Sequence, residues 1–412
     1  VTDDELALLR STCARQVTHH KPSSPRRAFT DLAAYVPSEL PFDRYGSAVW
    51  LAEFEDRVAH ELGKPAAVFL PSGTLAQAIA LRIWCDRHHN PTVAFHPTCH
   101  LEIHESRGYA MLHGLRALLV GAPSRLMTVE DVRAIADPLG AFLIELPQRE
   151  IGAQLPAWDD LVALCAAARA TGARLHLDGA RLWEAGAYYE RPHAEIAALF
   201  DSVYVSFYKG LGAMAGAMLA GDAEFVAQAR LWQHRHGGRL VTIAPLALSA
   251  ERGFTTNLSK MPTYRASALA VAERLLRIEG VSIVPNPPQT STFHVFLRGE
   301  KDGLEREAVA YAQDNSTFVF GRLAPTIDPG VQKWEFVAGD ATLECELDEI
   351  ERAVRQIVTG AAKFSRPQAL VVSVPANGGP ATDFAGFPGE DRKPASLLAR
   401  ILRAAALLLR RG

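Results

Sequence analysis

Between residues 48 and 221, short apolar runs alternate with segments whose apolar residues recur at helical spacing, and no other feature of the chain restricts the fold as much. AVWLAEFEDRVAHELG (48–63) has helical periodicity and ends at Gly63, a suitable C-cap. AAVFL follows as a strand, broken by Pro71-Ser72-Gly73, and LAQAIALRIWC then reads as a helix. The rhythm repeats through PTVAFHP, RALLVGA, TVEDVRAIADP, AFLIE, DDLVALCAAARATG and ARLHLDG. Strands alternating with helices specify a mostly parallel sheet with helices on both faces. In such sheets ligands collect at the carboxyl ends of the strands.

Four sets of polar residues fall just after predicted strands: Ser72-Gly73-Thr74, His100, Asp178 and Lys209. One shared site explains that placement better than four coincidences. Lys209 follows the buried-looking run VYVSF and precedes glycines at 210, 212 and 216, which let a ligand approach the backbone. Alone, it reads as a snorkelling surface lysine. Asp178 on a neighbouring strand end changes that reading, because a lysine and a carboxylate so placed suit pyridoxal phosphate. The lysine links to the cofactor, and the acid keeps its ring nitrogen protonated. The helix start at Ser72-Gly73-Thr74 can bind a phosphate, although taken alone that turn reads first as a helix cap. His100, His104 and Glu105 lack a further ligand at a metal-binding spacing. A single imidazole can instead lie over an aromatic cofactor.

The 43 basic and 46 acidic residues give a net charge of −3, which argues against a nucleic-acid partner. Five cysteines without a CxxC pair suit a reducing compartment, and VTDDELALLR lacks the pattern of a signal peptide. A cytoplasmic location is expected. Residues 1–30 read as an N-terminal arm whose basic, Pro/Ser-containing run HHKPSSPRRA has no packed core of its own. A large cofactor-binding α/β domain is expected over 31–245, and strands mixed with helices suggest a smaller α+β domain over 246–365. The remainder, 366–412, reads as a Pro/Gly-rich linker and a short basic apolar helix, SLLARILRAAALLLRR, too short to span a bilayer. That helix suits a membrane surface, a partner, or a dispensable tail; the last is preferred.

PSGTLAQAIA, HLEIHESRGYAMLHG, LHLDGARLWEAG and FYKGLGAMAGAMLAG together resemble the fingerprint of low-specificity threonine aldolases, within the β-eliminating lyase group of fold-type I pyridoxal phosphate enzymes. The resemblance runs from about Tyr45 to about residue 365. It implies an aspartate-aminotransferase-like fold, pyridoxal 5'-phosphate, an amino-acid substrate and a homo-oligomer (dimer or tetramer) with sites near subunit interfaces. It implies that Lys209 links to the cofactor, that Asp178 partners the ring nitrogen and that Arg181 binds the substrate carboxylate. It further implies that His100 stacks on the ring and serves in proton transfer, and that Gly73 and Thr74, with Ser72 beside them, cradle the phosphate. No metal is expected.

The implied reaction is Cα–Cβ cleavage of a β-hydroxy-α-amino acid to glycine and an aldehyde. Several positions depart from the family pattern. Gln148 stands where a histidine is expected, Tyr208 replaces a small residue before the lysine, and the N-terminal DLRSDT signature is missing. Glu335 stands where the family often supplies a second arginine. Two accounts of Glu335 stay open: a substrate bearing a positive group, or a clamp supplied by Arg239 or another arginine. Aldol-type transfer, aminotransfer and β-elimination remain as alternative reactions of the same cofactor.

Overall fold

The computed structural model describes residues 2–21 and 23–362; the sequence readings for 366–412 lie outside the described residues. A seven-stranded sheet is built from β1 (Ala66–Leu70), β2 (Thr92–Phe95), β3 (Arg116–Leu119), β4 (Ala141–Glu145), β5 (Arg174–Gly179), β6 (Ser202–Ser206) and β7 (Ala217–Gly221). Its order is β1-β7-β6-β5-β4-β2-β3. β7 runs antiparallel to both neighbours, and every other pairing is parallel. Every residue of β2, β4, β6 and β7 is buried, as expected for a sheet covered on both faces.

The helix after β1 spans Gly73–Arg87, with Ser72 as N-cap. The helices Val49–Glu61 and Trp158–Ala170 end close to Gly63 and Gly172, both at positive φ. Phe54, Phe69, Phe207, Phe254 and Trp183 interlock beneath the sheet, with Phe54 and Phe207 centroids 5.4 Å apart. This apolar layer fixes β6 and therefore the position of Lys209 just past its end.

A four-stranded antiparallel sheet follows: β8 (Val281–Val284), β9 (Thr292–Arg298), β10 (Ala324–Pro325) and β11 (Val331–Val337), in the order β10-β11-β9-β8. The helices Lys301–Asn315 and Leu347–Ala362 accompany it. The boundary drawn at 245/246 runs inside the helix Ala244–Asn257. Among the described residues no helix is long and apolar enough to cross a membrane.

The N-terminal segment differs from the unpacked arm expected of it. Asp3–Thr12 is a helix with a Thr2/Glu5 capping box, Arg15–Gln16 pairs in parallel with Thr317–Phe318, and Val17 is fully buried. The Pro/Ser run is a helix start: Ser24 caps the helix Pro25–Tyr35 and Pro25 occupies its first turn. His20 Nε2 also lies 2.9 Å from the Gly210 carbonyl, tying this segment to the loop beside Lys209.

Candidate active site

One cleft at the carboxyl ends of β4, β5 and β6 gathers Glu145, Asp178 and Lys209, with His100, Glu105, Arg149, Arg181, Tyr204 and Tyr208 around them. Asp178 faces Glu145 on one side and Tyr204 on the other through strand register. Burial pushes the Asp178 carboxyl up, while Lys209 and the Ala180 N–H, 3.1 Å from Oδ1, act against burial. Lys209 is only partly covered, yet burial and the Arg181 charge lower it to about 8. Asp178 and Glu145 limit that fall.

Glu145 accepts from Gln148 Nε2 at 3.0 Å and from the Arg149 N–H at 3.2 Å. Burial and the neighbouring Asp178 still push it up to about 8. Two carboxyls on adjacent strand ends thus share the field of one lysine, and burial together with the other's charge works to raise Glu145. Gln148, placed by the sequence where a histidine was expected, is buried with its amide 3.3 Å from Thr98 Oγ1 and turned to Glu145. Its amide nitrogen is thereby committed.

His100 opens the short helix His100–Ile103, and its pKa falls to about 4 through burial and the Lys209 charge. Its Nε2 lies 3.9 Å from Glu105, a residue that sequence reasoning passed over except as a metal ligand. Glu105 is pushed up to about 7 by burial and Asp178, with the neighbouring Thr74 hydroxyl and Lys209 acting against them. His104 turns away to Glu150, 2.8 Å distant.

Ser72, Gly73 and Thr74 stand at the edge of this cluster and do not line the cleft directly. The Ser72 hydroxyl accepts from the Leu75 N–H at 3.3 Å, so it is engaged as a helix cap. Gly73 is required sterically, since a Cβ there would lie 1.9 Å from the Tyr204 hydroxyl. Tyr204 is buried beside Tyr208, so two phenols stand close to the Ser72-Gly73-Thr74 turn and Asp178. Neither was foreseen as a site residue.

Arg181 Nη2 reaches Glu335 Oε1 at 3.1 Å, and Arg149 Nε reaches Oε2 at 2.7 Å. Burial pushes Glu335 up, but the nearby His294 ring and the two guanidinium charges outweigh it and hold its carboxyl well below the usual range. A cation-binding role for Glu335 therefore has no basis, because both its oxygens are committed to arginines. Arg239, the alternative clamp, donates to the Tyr45 carbonyl at 2.7 Å and lines a different cleft. Arg149 is the additional cation that the sequence did not single out. Arg181 itself remains half-satisfied: Nε and Nη1 are buried without a partner among the described residues.

These residues fit pyridoxal phosphate. A lysine of lowered pKa, a buried carboxylate within its field, a glycine that admits close approach at a helix start, and unpartnered guanidinium N–H groups are together the donor set that the cofactor and an amino acid need. Fold and site together define the class: fold-type I, the fold shared by serine palmitoyltransferase from Sphingomonas wittichii (TM-score 0.59, 13% identity). The sequence profile described as "Beta-eliminating lyase" matches residues 36–300, and the chain belongs to that family.

Among individual proteins, the chain is 27% identical over 330 residues to low-specificity L-threonine aldolase 1 of Arabidopsis thaliana, covering 75% of this chain and 90% of that one. It is 30% identical over 286 residues to the low specificity L-threonine aldolase of Saccharomyces cerevisiae, covering 65% and 71%. A Listeria monocytogenes crystal structure, described provisionally as an L-allo-threonine aldolase, superposes with a TM-score of 0.81 at 39% identity, covering 86% of this chain and 99% of that one.

Proposed function

We propose that this protein is a pyridoxal phosphate-dependent lyase that cleaves the Cα–Cβ bond of a β-hydroxy-α-amino acid, releasing glycine and an aldehyde. The observation that carries the reading is the convergence of Lys209, Asp178 and the unpartnered edge of Arg181 on one cleft. Similarity to threonine aldolases supports the same reaction.

When bound, pyridoxal phosphate supplies an electron sink conjugated to Cα, so that a bond at that carbon breaks heterolytically. Lys209 would hold the cofactor, and with its pKa lowered to about 8 a fraction of the amine is uncharged near neutral pH. Asp178 would accept from the ring nitrogen, and Gly73 and Thr74 would offer backbone N–H groups to the phosphate. Arg181 Nε and Nη1 receive the α-carboxylate, with Arg149 adding positive charge from the same cleft. That grip fixes which bond at Cα stands ready to break.

His100 takes the β-hydroxyl proton as the aldehyde forms. Its low pKa owes first to burial and then to the Lys209 charge, and keeps the imidazole neutral and able to accept a proton. Glu105, 3.9 Å away, stabilises the imidazolium. The cationic-substrate alternative loses its support, because Glu335 is already paired twice. We also propose a cytoplasmic homo-oligomer, supported by the uncommitted cysteines and by the resemblance.

Threonine and allo-threonine, offered with the cofactor, should yield acetaldehyde and glycine in equal amounts. Lys209→Ala should lose both products and the visible absorbance of the bound cofactor. Pyruvate and ammonia without glycine would overturn the reading, as would undiminished cleavage by Lys209→Ala.

A further inference from the structure

The turn after Lys209 is fastened one carbonyl at a time. The Lys209 carbonyl accepts from the Gly212 N–H at 3.1 Å, and the Leu211 carbonyl accepts from Asn257 Nδ2 at 3.0 Å. Between them, the Gly210 carbonyl lies 2.9 Å from His20 Nε2. A carbonyl oxygen only accepts, so His20 carries a hydrogen on Nε2 and donates it. Nδ1, the other ring nitrogen, lies 3.4 Å from Asp340 Oδ2. Asp340 Oδ1 is taken by Lys260 Nζ at 3.1 Å and by the Tyr264 hydroxyl at 2.7 Å, which leaves Oδ2 toward the imidazole.

The turn makes room for this ring. Gly212 stands at φ +68°, and a Cβ there would come within 2.9 Å of His20 Cδ2. The Tyr264 ring meets the imidazole edge-on, with centroids 5.9 Å apart. The backbone leading to His20 belongs to the smaller sheet: the His19 N–H and the Thr18 hydroxyl donate to the Val337 carbonyl at 2.6 and 3.0 Å. Val337 ends β11, the strand of Glu335. His20 therefore joins the peptide next to Lys209 to the strand that carries the arginines' counterion. Glycines at 210 and 212 leave the turn wide backbone freedom, so its hydrogen bonds fix its path.

We propose that His20 is a positioning residue for Lys209: its Nε2–H holds the Gly210 carbonyl and so sets the direction in which the lysine leaves the turn toward the cofactor. This inference rests on the pyridoxal phosphate reading above. A histidine that only anchored the N-terminal segment would make the same contacts, but its worth would lie in Asp340 and not in Gly210.

The test compares wild type with His20→Asn and His20→Gln, which divide the two contacts. An asparagine amide nitrogen falls near the place of Nδ1 and keeps Asp340, whereas a glutamine amide nitrogen falls near the place of Nε2 and keeps Gly210. The measurements are the thermal stability of the cofactor-free protein, the dissociation constant of pyridoxal phosphate read from visible absorbance, and kcat and KM for threonine per bound cofactor. His20→Asn should weaken cofactor binding and lower kcat, each about tenfold, the size of one lost hydrogen bond. KM should move less, because Arg181 and Arg149 lie outside the turn. His20→Gln should stay within about threefold of wild type in every quantity. Equal losses in the two variants, larger losses in His20→Gln, or losses confined to stability overturn the inference. If His20→Asn fails to fold, His20→Ala replaces it with the same tenfold loss expected, and a His20→Gln that recovers none of it overturns the inference. A wild type with no visible band overturns the cofactor reading and this inference with it, whereas a wild-type band that all variants retain with unchanged affinity overturns the inference alone.

Discussion

Arg181→Met tests the carboxylate grip most directly. The Arg181 side chain is 10% exposed, gives Nη2 to Glu335, and leaves Nε and Nη1 unpartnered. Two charge-assisted bonds to a carboxylate, after the usual losses on binding, are worth about 2–4 kcal/mol together, or roughly 30- to 1,000-fold in affinity. The carboxylate keeps its charge during cleavage, so KM should rise, and kcat should fall as well because the same grip orients the bond at Cα. The fold should survive, since Glu335 keeps Arg149 at 2.7 Å and His294 nearby. Arg181→Lys restores the charge but not the fork, so it should recover only part of the affinity. The decisive control is an amino alcohol that lacks the carboxylate, tested as a competitive ligand: its binding should not respond to the substitution. A second readout comes from Lys209, whose pKa is held down partly by Arg181. In Arg181→Met the pH at which the lysine joins the cofactor should rise. An unchanged KM, or equal losses for the amino acid and the amino alcohol, would refute the assignment.

Ser72→Ala should lower the thermal stability of the cofactor-free protein by about 1 kcal/mol, because the hydroxyl caps the helix Gly73–Arg87; no change without cofactor would show that its role is phosphate binding alone. Gly73→Ala should abolish cofactor binding, measured by quenching of tryptophan fluorescence, since the added Cβ meets the Tyr204 hydroxyl. Adding Tyr204→Ser should restore part of that binding. His113 is buried against Trp232 and His236, and its pKa falls to about 4 through burial and His236. Its unfolded value is about 6.5, so between pH ~6.5 and 4 the unfolded chain binds the extra proton and stability falls as pH falls. His113→Phe should flatten that part of the urea-unfolding profile, and an unaltered slope would count against the burial argument.

The fold was legible because strand and helix periods alternate cleanly, and because a parallel sheet leaves few places for a polar residue to follow a strand. Lys209, Asp178 and His100, which the structure brings to one cleft, were singled out that way, from position along single segments. What escaped the sequence reading lies between segments. Arg149 and Glu335 come from a loop after β4 and from β11, 186 residues apart in numbering, and only the Glu335 carboxylate, shared by Arg149 and Arg181, reveals that the charge is neutralised. Read singly, Glu335 looked like a charge reversal; in place, it is the counterion that lets two arginines stand side by side. Tyr204 was hidden for a different reason, as an aromatic in a buried strand is the ordinary expectation. Its hydroxyl matters only because Gly73, on another strand's end, has no side chain to exclude it. The N-terminal arm was misread because a Pro/Ser run breaks a helix when it falls inside one but starts a helix when Ser24 and Pro25 fall at its edge. Groups proposed to hold the cofactor, each at one strand end, leave a local trace in sequence. Groups that act through one another, as Arg149, Glu335 and Arg181 do in their shared ion pairs, leave theirs in the contact.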